Sequence, residues 1–164
     1  MVVKRLAMVL FLSVFLMLPL SAAMVSFLVI ETGRRENIPV HELTDLWENG
    51  LMDAFFEAGH IVSNAPIMRL AIKPDKDLPD EAQGDLREAL AGGSEFLILA
   101  LLDYESSSGG GVEKLQGVSL RLFRTKPYKL VFTQQYSGAV SGSSKEALAA
   151  IKKAAQVLIS HVRG

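Results

Sequence analysis

The chain lacks cysteine altogether, and its 164 residues include only three histidines and one tryptophan. Without cysteine an exported protein has no disulfides, and it cannot be a lipoprotein of the class that is acylated on a cysteine after its signal. The scarcity of histidine leaves few side chains from which a zinc site could be built. The stability of the fold must therefore come from packing.

A strong excess of charge of either sign is also missing. Seventeen basic side chains oppose 18 acidic ones, for a net charge of −1. Lys4 and Arg5 lie in a leader-like segment, so the rest of the chain is more acidic than this total. Proteins that bind polyanions in general are usually basic, and nucleic acid is therefore not an expected partner.

The amino-terminal segment contains no charge from residue 6 to residue 20. It follows two basic residues and leads into Ser21, Ala22 and Ala23, which is the layout of a secretory signal peptide. We predict that residues 1–23 are a signal peptide with transient membrane contact, and that residues 24–164 form one periplasmic or otherwise exported domain. The alternative is a retained anchor, since residues 6–30 form an uncharged stretch long enough to cross a bilayer. In that case residues 6–23 would hold the domain at the inner membrane.

Hydrophobic periodicity predicts the order of elements in the rest of the chain. Apolar or alternating runs predict strands, and apolar residues at helical spacing predict helices. The predicted strands are 25–31, 60–65, 67–72, 96–102, 118–122 and 128–133, and the predicted helices are 39–58, 79–90 and 143–162. This order indicates an α+β fold with a single mixed β-sheet and about three helices, mostly on one face.

Several details follow from the same patterns. The run FLILALL at 96–102 is the most apolar after the leader, so we expect it to be the central strand. Pro39 and Pro79 are expected in the first turns of two helices, and Ser143 with Glu146 has the spacing of a capping box. In the predicted hairpin, the alternation places Tyr128, Leu130 and Phe132 on one face.

The second half of the chain resembles a known family. The strand FLILALLDYE, the segment GVSLRLFRTKPYKLVFTQQYSG and the helix KEALAAIKKAAQVLISHV are similar in order and pattern to the amino-terminal domain of the periplasmic protein TolB. Curli-secretion lipoproteins and lipoprotein activators of penicillin-binding proteins share this layout. The resemblance implies a non-enzymatic domain that needs no cofactor and contacts partner proteins in the bacterial cell envelope. The chain departs from these families in having neither a lipobox cysteine nor a following β-propeller.

The predicted hairpin carries a cluster of basic and aromatic side chains, which we take as the candidate partner-binding residues. They are Arg121, Phe123, Arg124, Lys126, Tyr128 and Lys129. Such a surface can bind nucleic acid, but export makes that partner improbable. An acidic patch of an envelope protein, anionic lipid head groups or an acidic polysaccharide fits the same chemistry, and a solvated hairpin without a partner is the simpler interpretation.

Two other segments suggest chemistry. HELTD at 41–45 is close to the H-E-x-x-H zinc motif, with Asp45 in place of the second histidine, so a metal-dependent hydrolase using His41, Glu42 and Asp45 is an alternative function. Glu31 and Thr32 end the first predicted strand, where open α/β sheets often bind ligands. The leading hypothesis is a non-enzymatic binding or assembly module of the cell envelope.

Overall fold

A computed structural model describes residues 22–33, 39–105, 114–137 and 144–163. These residues form six strands and three helices. The strands are β1 (Met24–Thr32), β2 (Ile61–Asn64), β3 (Met68–Leu70), β4 (Phe96–Glu105), β5 (Lys114–Arg124) and β6 (Lys129–Ser137). The helices are α1 (Glu42–Glu57), α2 (Gln83–Ala91) and α3 (Ser144–Arg163). The predicted α+β class is confirmed.

The strands form one mixed sheet in the order β2-β1-β4-β5-β6, and β3 pairs with the other end of β1. β2, β3 and β4 all run parallel to β1, whereas β4, β5 and β6 form an antiparallel meander. β4 lies in the middle of this order, as its apolar sequence predicts. Its first seven residues are all buried because helices and loops cover both of its faces.

The larger core lies between the sheet and the two long helices. Trp47, Leu51 and Phe55 of α1 and Ile151 and Leu158 of α3 are fully buried in it. The two helices approach closely at Gly50, where an added Cβ would lie 2.8 Å from a side-chain carbon of Ile151. The smallest residue of α1 therefore sets the distance between the helices.

The opposite face has a smaller core, which is covered by α2 and the segment before it. Leu28, Ile30, Leu97, Leu99 and Leu101 of the sheet are buried there. None of the nine residues of α2 is itself buried. Two of the three helices thus lie on one face, as predicted, and the third covers the other face loosely.

Two helices begin later than predicted. α1 starts at Glu42, and the extended residue His41 is its N-cap, with ring Nδ1 accepting the Leu43 N–H at 3.1 Å. Pro39 therefore precedes the helix. α2 starts at Gln83, so Pro79 lies in a turn outside the helix. The capping box predicted at Ser143 and the glycine–serine segment 106–113 lie outside the described residues.

A bulge in the hairpin corrects the predicted faces. Leu122 pairs with Phe132 while Phe123 pairs with Leu130, which leaves Val131 as the extra residue. Phe132 packs against the larger core and Leu130 against the smaller one. The expectation that Tyr128, Leu130 and Phe132 share one face is therefore wrong, because strict alternation cannot anticipate an inserted residue.

The predicted leader lies almost entirely outside the described residues. Its last residue, Ala23, is buried, and its N–H donates to Nδ1 of His60 at 3.3 Å. The Ala23 carbonyl also accepts the N–H of Ile61. Cleavage after Ala23 stays a prediction. Among the helices of the described ranges, none combines the length and the apolar character that a membrane span requires.

Candidate functional site

The hairpin tip is anchored to the body of the fold by the first residue of its turn. Thr125 is buried, and its N–H donates to the carbonyl of Glu95 at 2.9 Å. Its hydroxyl donates to the carbonyl of Ser94. These two bonds tie the tip to the residues that precede β4. The side chains beyond Thr125 are therefore presented from a fixed base.

Three of the predicted cations lie together at this tip. Arg124, Lys126 and Lys129 are all exposed, and Arg124 and Lys129 are paired across the two strands. Like charges in directly opposed positions repel one another. The Arg124 guanidinium lies over the Phe96 ring, 5.3 Å from its centroid. Within the described parts of the chain, none of these three cations forms an ion pair with a carboxylate.

The two predicted aromatic residues have different roles. Phe123 is only 1% exposed and belongs to the smaller core. The Tyr128 ring stacks on it, with centroids 5.4 Å apart, and remains 48% exposed. Partial burial, and to a lesser degree Asp77, raise the pKa of Tyr128. Phe123 is therefore buried under the Tyr128 ring and is not available on the surface of the hairpin.

Arg121 is also removed from the predicted surface. Its Nη1 donates to the carbonyls of Lys76 at 2.8 Å and Asp77 at 2.5 Å. Its Nε lies 4.0 Å from the Asp77 carboxylate, and the side chain is only 11% exposed. Arg121 therefore holds the loop before α2 against the sheet. The tip surface, which we define as Arg124, Lys126, Tyr128 and Lys129, retains four of the six predicted residues.

The carboxyl end of β1, where open α/β sheets often bind ligands, is filled by side chains of the protein itself. The carboxylate of Glu31 is completely buried. Its Oε1 accepts the Thr44 hydroxyl at 2.7 Å and the His41 N–H at 2.8 Å, and Oε2 lies 3.6 Å from Nε of Arg69. The Thr44 hydroxyl also bonds the Tyr104 hydroxyl at 2.8 Å. This network joins α1, β3 and β4 to the end of β1.

The hydroxyl of Thr32, on the other face of the sheet, also has a hydrogen-bond partner within the fold. Its hydroxyl donates to Oδ1 of Asp103 at 3.0 Å. Oδ2 of Asp103 accepts from Lys73 at 2.8 Å. The side chains of Glu31, Thr32 and Asp103 therefore all have partners within the fold, which is the arrangement of a structural network.

The HELTD segment does not assemble a metal site in the structure. Nδ1 of His41 is used to cap α1, and Glu42 and Asp45 are exposed in the first turn. Across the described ranges, no group of three or more histidine, aspartate or glutamate side chains is arranged to hold a metal ion. The segment acts in the structure as a helix start.

The amino end of β1 has a polar site that the sequence did not predict. Three serine hydroxyls form a chain: Ser26 bonds Ser63 at 2.8 Å and Ser94 at 2.5 Å. They line a pocket of about 270 Å³ between the sheet and α2, together with Asp85 and Glu88 of the helix. No sequence motif links these five residues, which lie on four separate segments. The only available signal was serine in place of an apolar residue at position 26 of a buried strand.

Comparison of the sequence with protein-family models and with curated proteins gives no match. Several solved structures are similar in fold. PelC of the dodecamer from Paraburkholderia phytofirmans is 19% identical over 80% of this chain and 84% of its own, with a TM-score of 0.44. Lipoprotein GNA1162 from Neisseria meningitidis is 12% identical over 84% and 98%, with a TM-score of 0.45.

TolB from Acinetobacter baumannii is also similar, at 12% identity over 87% of this chain and 28% of its own, with a TM-score of 0.38. The topological resemblance to TolB and to envelope lipoprotein domains, which the sequence predicted, is confirmed by these structures. At these levels of identity the likeness concerns the fold alone.

Proposed function

We propose that this protein is an exported, non-enzymatic binding module of the bacterial cell envelope, and that its tip surface binds an acidic patch on a partner protein. The observation that carries the proposal is the geometry of the tip. Three exposed cations, which form no ion pair with a carboxylate of the described residues, lie on the same anchored hairpin tip as a half-exposed tyrosine. Tyrosine and arginine are enriched among the residues that contribute most to protein interfaces.

The cations of the tip repel one another, so the binding of an anion would stabilise their arrangement. Arg124 and Lys129 are opposed across the hairpin, and Lys126 lies in the turn between them. An acidic partner would relieve this repulsion, whereas a neutral partner would not. Tyr128, whose ring stacks on the buried Phe123, supplies an ordered apolar contact beside these charges. The tip thus combines charge with an ordered aromatic anchor.

The proposal is tested by site-specific crosslinking followed by binding to the purified partner. A photoreactive amino acid at position 126 should capture the partner in intact cells, and the same amino acid at position 153, on the exposed side of α3, should not. The captured protein is then purified and its affinity measured. Binding should weaken as salt is added, because exposed charges are screened.

Two variants separate charge from the aromatic anchor. The triple variant R124A/K126A/K129A should weaken binding by about tenfold or more through lost electrostatic complementarity. K145A/K152A/K153A makes the same charge change on exposed lysines of α3 and should leave affinity unchanged. Tyr128→Ala preserves every charge and should also weaken binding by about tenfold or more. Equal affinities for the two triple variants would show that the tip is not the contact surface.

A further inference from the structure

A second site lies on the side of the sheet that α2 covers. It is a pocket of about 270 Å³ at the amino ends of β1 and β4. This volume is just below the range of about 300 to 1,000 Å³ that accommodates drug-sized ligands, so it suits a ligand about as large as one sugar or amino acid. The residues that line it include the small residues Ala89 of α2 and Gly92, which is the C-cap of that helix.

The floor of the pocket consists of buried hydroxyl groups. Ser26 is 6% exposed and Ser94 is 2% exposed, and Ser63 is half-buried beside them. The three hydroxyls carry three protons, but the chain that joins them has only two hydrogen bonds. One hydroxyl of the chain therefore always has a proton left to donate, and both terminal oxygens keep at least one lone pair to accept with. A hydroxylated ligand could use both.

The wall of the pocket carries two carboxylates, Asp85 and Glu88, which are one turn apart on α2. Neither forms an ion pair with any residue of the described ranges. Burial raises the pKa of Asp85, and the neighbouring charge of Glu88 raises it further. Two adjacent carboxylates that repel each other next to a cavity form a favourable environment for a cation.

We propose that this pocket binds a small organic molecule that carries both a primary ammonium group and hydroxyl groups, as an amino sugar does. The ammonium group would lie between Asp85 and Glu88, to which its three N–H groups can donate. The ligand hydroxyls would complete the chain of Ser63, Ser26 and Ser94. A metal ion fits less well, since two carboxylates fall short of the six to eight oxygen ligands of calcium unless water supplies most of them.

The test is titration of the purified protein with glucosamine, followed by NMR of its backbone amides and by calorimetry. Glucosamine should shift the amide signals of Ser26, Ser63 and Ser94 in a saturable way. Glucose has the hydroxyls without the cation, and N-acetylglucosamine has the nitrogen without its charge. Both should bind at least about tenfold more weakly, the equivalent of about 1.4 kcal/mol. Equal binding of glucose would overturn the assignment of an amine.

Variants that remove charge test whether glucosamine binds in this pocket, and none of the residues they change belongs to the buried core. D85N/E88Q should reduce the affinity for glucosamine by about tenfold or more, because two charge-assisted hydrogen bonds are lost. D53N/E57Q makes the same charge change on exposed residues of α1 and should retain full affinity. Ser63→Ala removes one end of the hydroxyl chain and should weaken glucosamine binding with the carboxylates intact. Shifts that are spread over the acidic surface and reduced equally by both double variants would overturn the proposal.

Discussion

The two ends of β1 both carry buried polar side chains, yet they differ in how these side chains are hydrogen-bonded. At the carboxyl end, Glu31 accepts hydrogen bonds from Thr44 and the His41 backbone and lies beside Arg69. At the amino end, the Ser26 hydroxyl bonds the hydroxyls of Ser63 and Ser94, and Asp85 and Glu88 line the adjacent pocket. The first end is closed by the fold and the second is left open, which distinguishes a structural network from a candidate binding site.

The largest expected effect is at the closed end. Glu31→Ala removes two hydrogen bonds to a buried carboxylate, each worth about 1.5 to 3 kcal/mol, so we expect the free energy of unfolding to fall by about 3 kcal/mol or more. Urea denaturation measures this value. Glu31→Gln keeps an acceptor oxygen and should lose about half as much. A loss below about 1 kcal/mol for Glu31→Ala would mean that this end is not a structural network.

The second prediction concerns the backbone conformation of Gly33, which follows the carboxyl end of β1. It has a φ of +79°, and an added Cβ would overlap the Tyr104 carbonyl oxygen. Gly33→Ala should therefore lower the free energy of unfolding by about 2 kcal/mol or more. Gly93 is the matched control, because its φ is +86° but no atom lies within 4 Å of an added Cβ. Gly93→Ala isolates the conformational part, about 1 kcal/mol. Equal losses would show that β1 and β4 are not in close contact here.

Ser26→Ala tests the open end. It removes both bonds of the hydroxyl chain and leaves the buried Ser94 hydroxyl without its Ser26 partner, so we expect a loss of about 1 to 2 kcal/mol in urea denaturation. Ser63→Ala should lose less than about 1 kcal/mol, since Ser63 is half-buried and water can replace its hydroxyl. A loss for Ser26→Ala as large as that for Glu31→Ala would remove the contrast between the two ends.

The fold was predictable from the sequence because hydrophobic periodicity reports local structure. The apolar run at 96–102 identified the central strand, and the alanine-rich helix identified α3. The errors occurred where tertiary structure overrides local pattern. The bulge at Val131 reverses the faces of the residues after it, and His41 caps α1 two residues after the proline that was expected in its first turn.

The candidate sites were less predictable, for a different physical reason. Four of the six hairpin residues are exposed at the tip, since exposure near a turn follows from sequence distance alone. Arg121 and Phe123 were misplaced because their partners, the loop at 76–77 and the smaller core, come from distant segments. The serine pocket requires Ser26, Ser63 and Ser94 to meet, and only the parallel pairing of β1 with β2 and β4 brings them together.

The smallest expected effect is a gain in stability, whereas the substitutions above all lower it. Burial and Glu88 raise the pKa of Asp85 above its usual value of 3.8, so the folded protein binds this proton more tightly than the unfolded chain does. Stability is therefore lost as the pH rises from 3.8 through the folded-state pKa, and the loss is complete at neutral pH. Asp85→Asn removes that penalty. It should slightly raise the urea midpoint at pH 7, and the gain should vanish as the pH approaches 3.8.

The matched variant Asp53→Asn, on the exposed side of α1, controls for the change in net charge. If Asp85→Asn lowered the urea midpoint at pH 7 while Asp53→Asn did not, Asp85 would have a stabilising partner in the fold, and its place in an open site would be wrong. A gain would mean that the protein retains a carboxylate that weakens its own fold. Its position in the first turn of α2 and its backbone hydrogen bond offset only part of the cost of its burial, and the proposed ammonium ligand in the serine pocket would offset the rest.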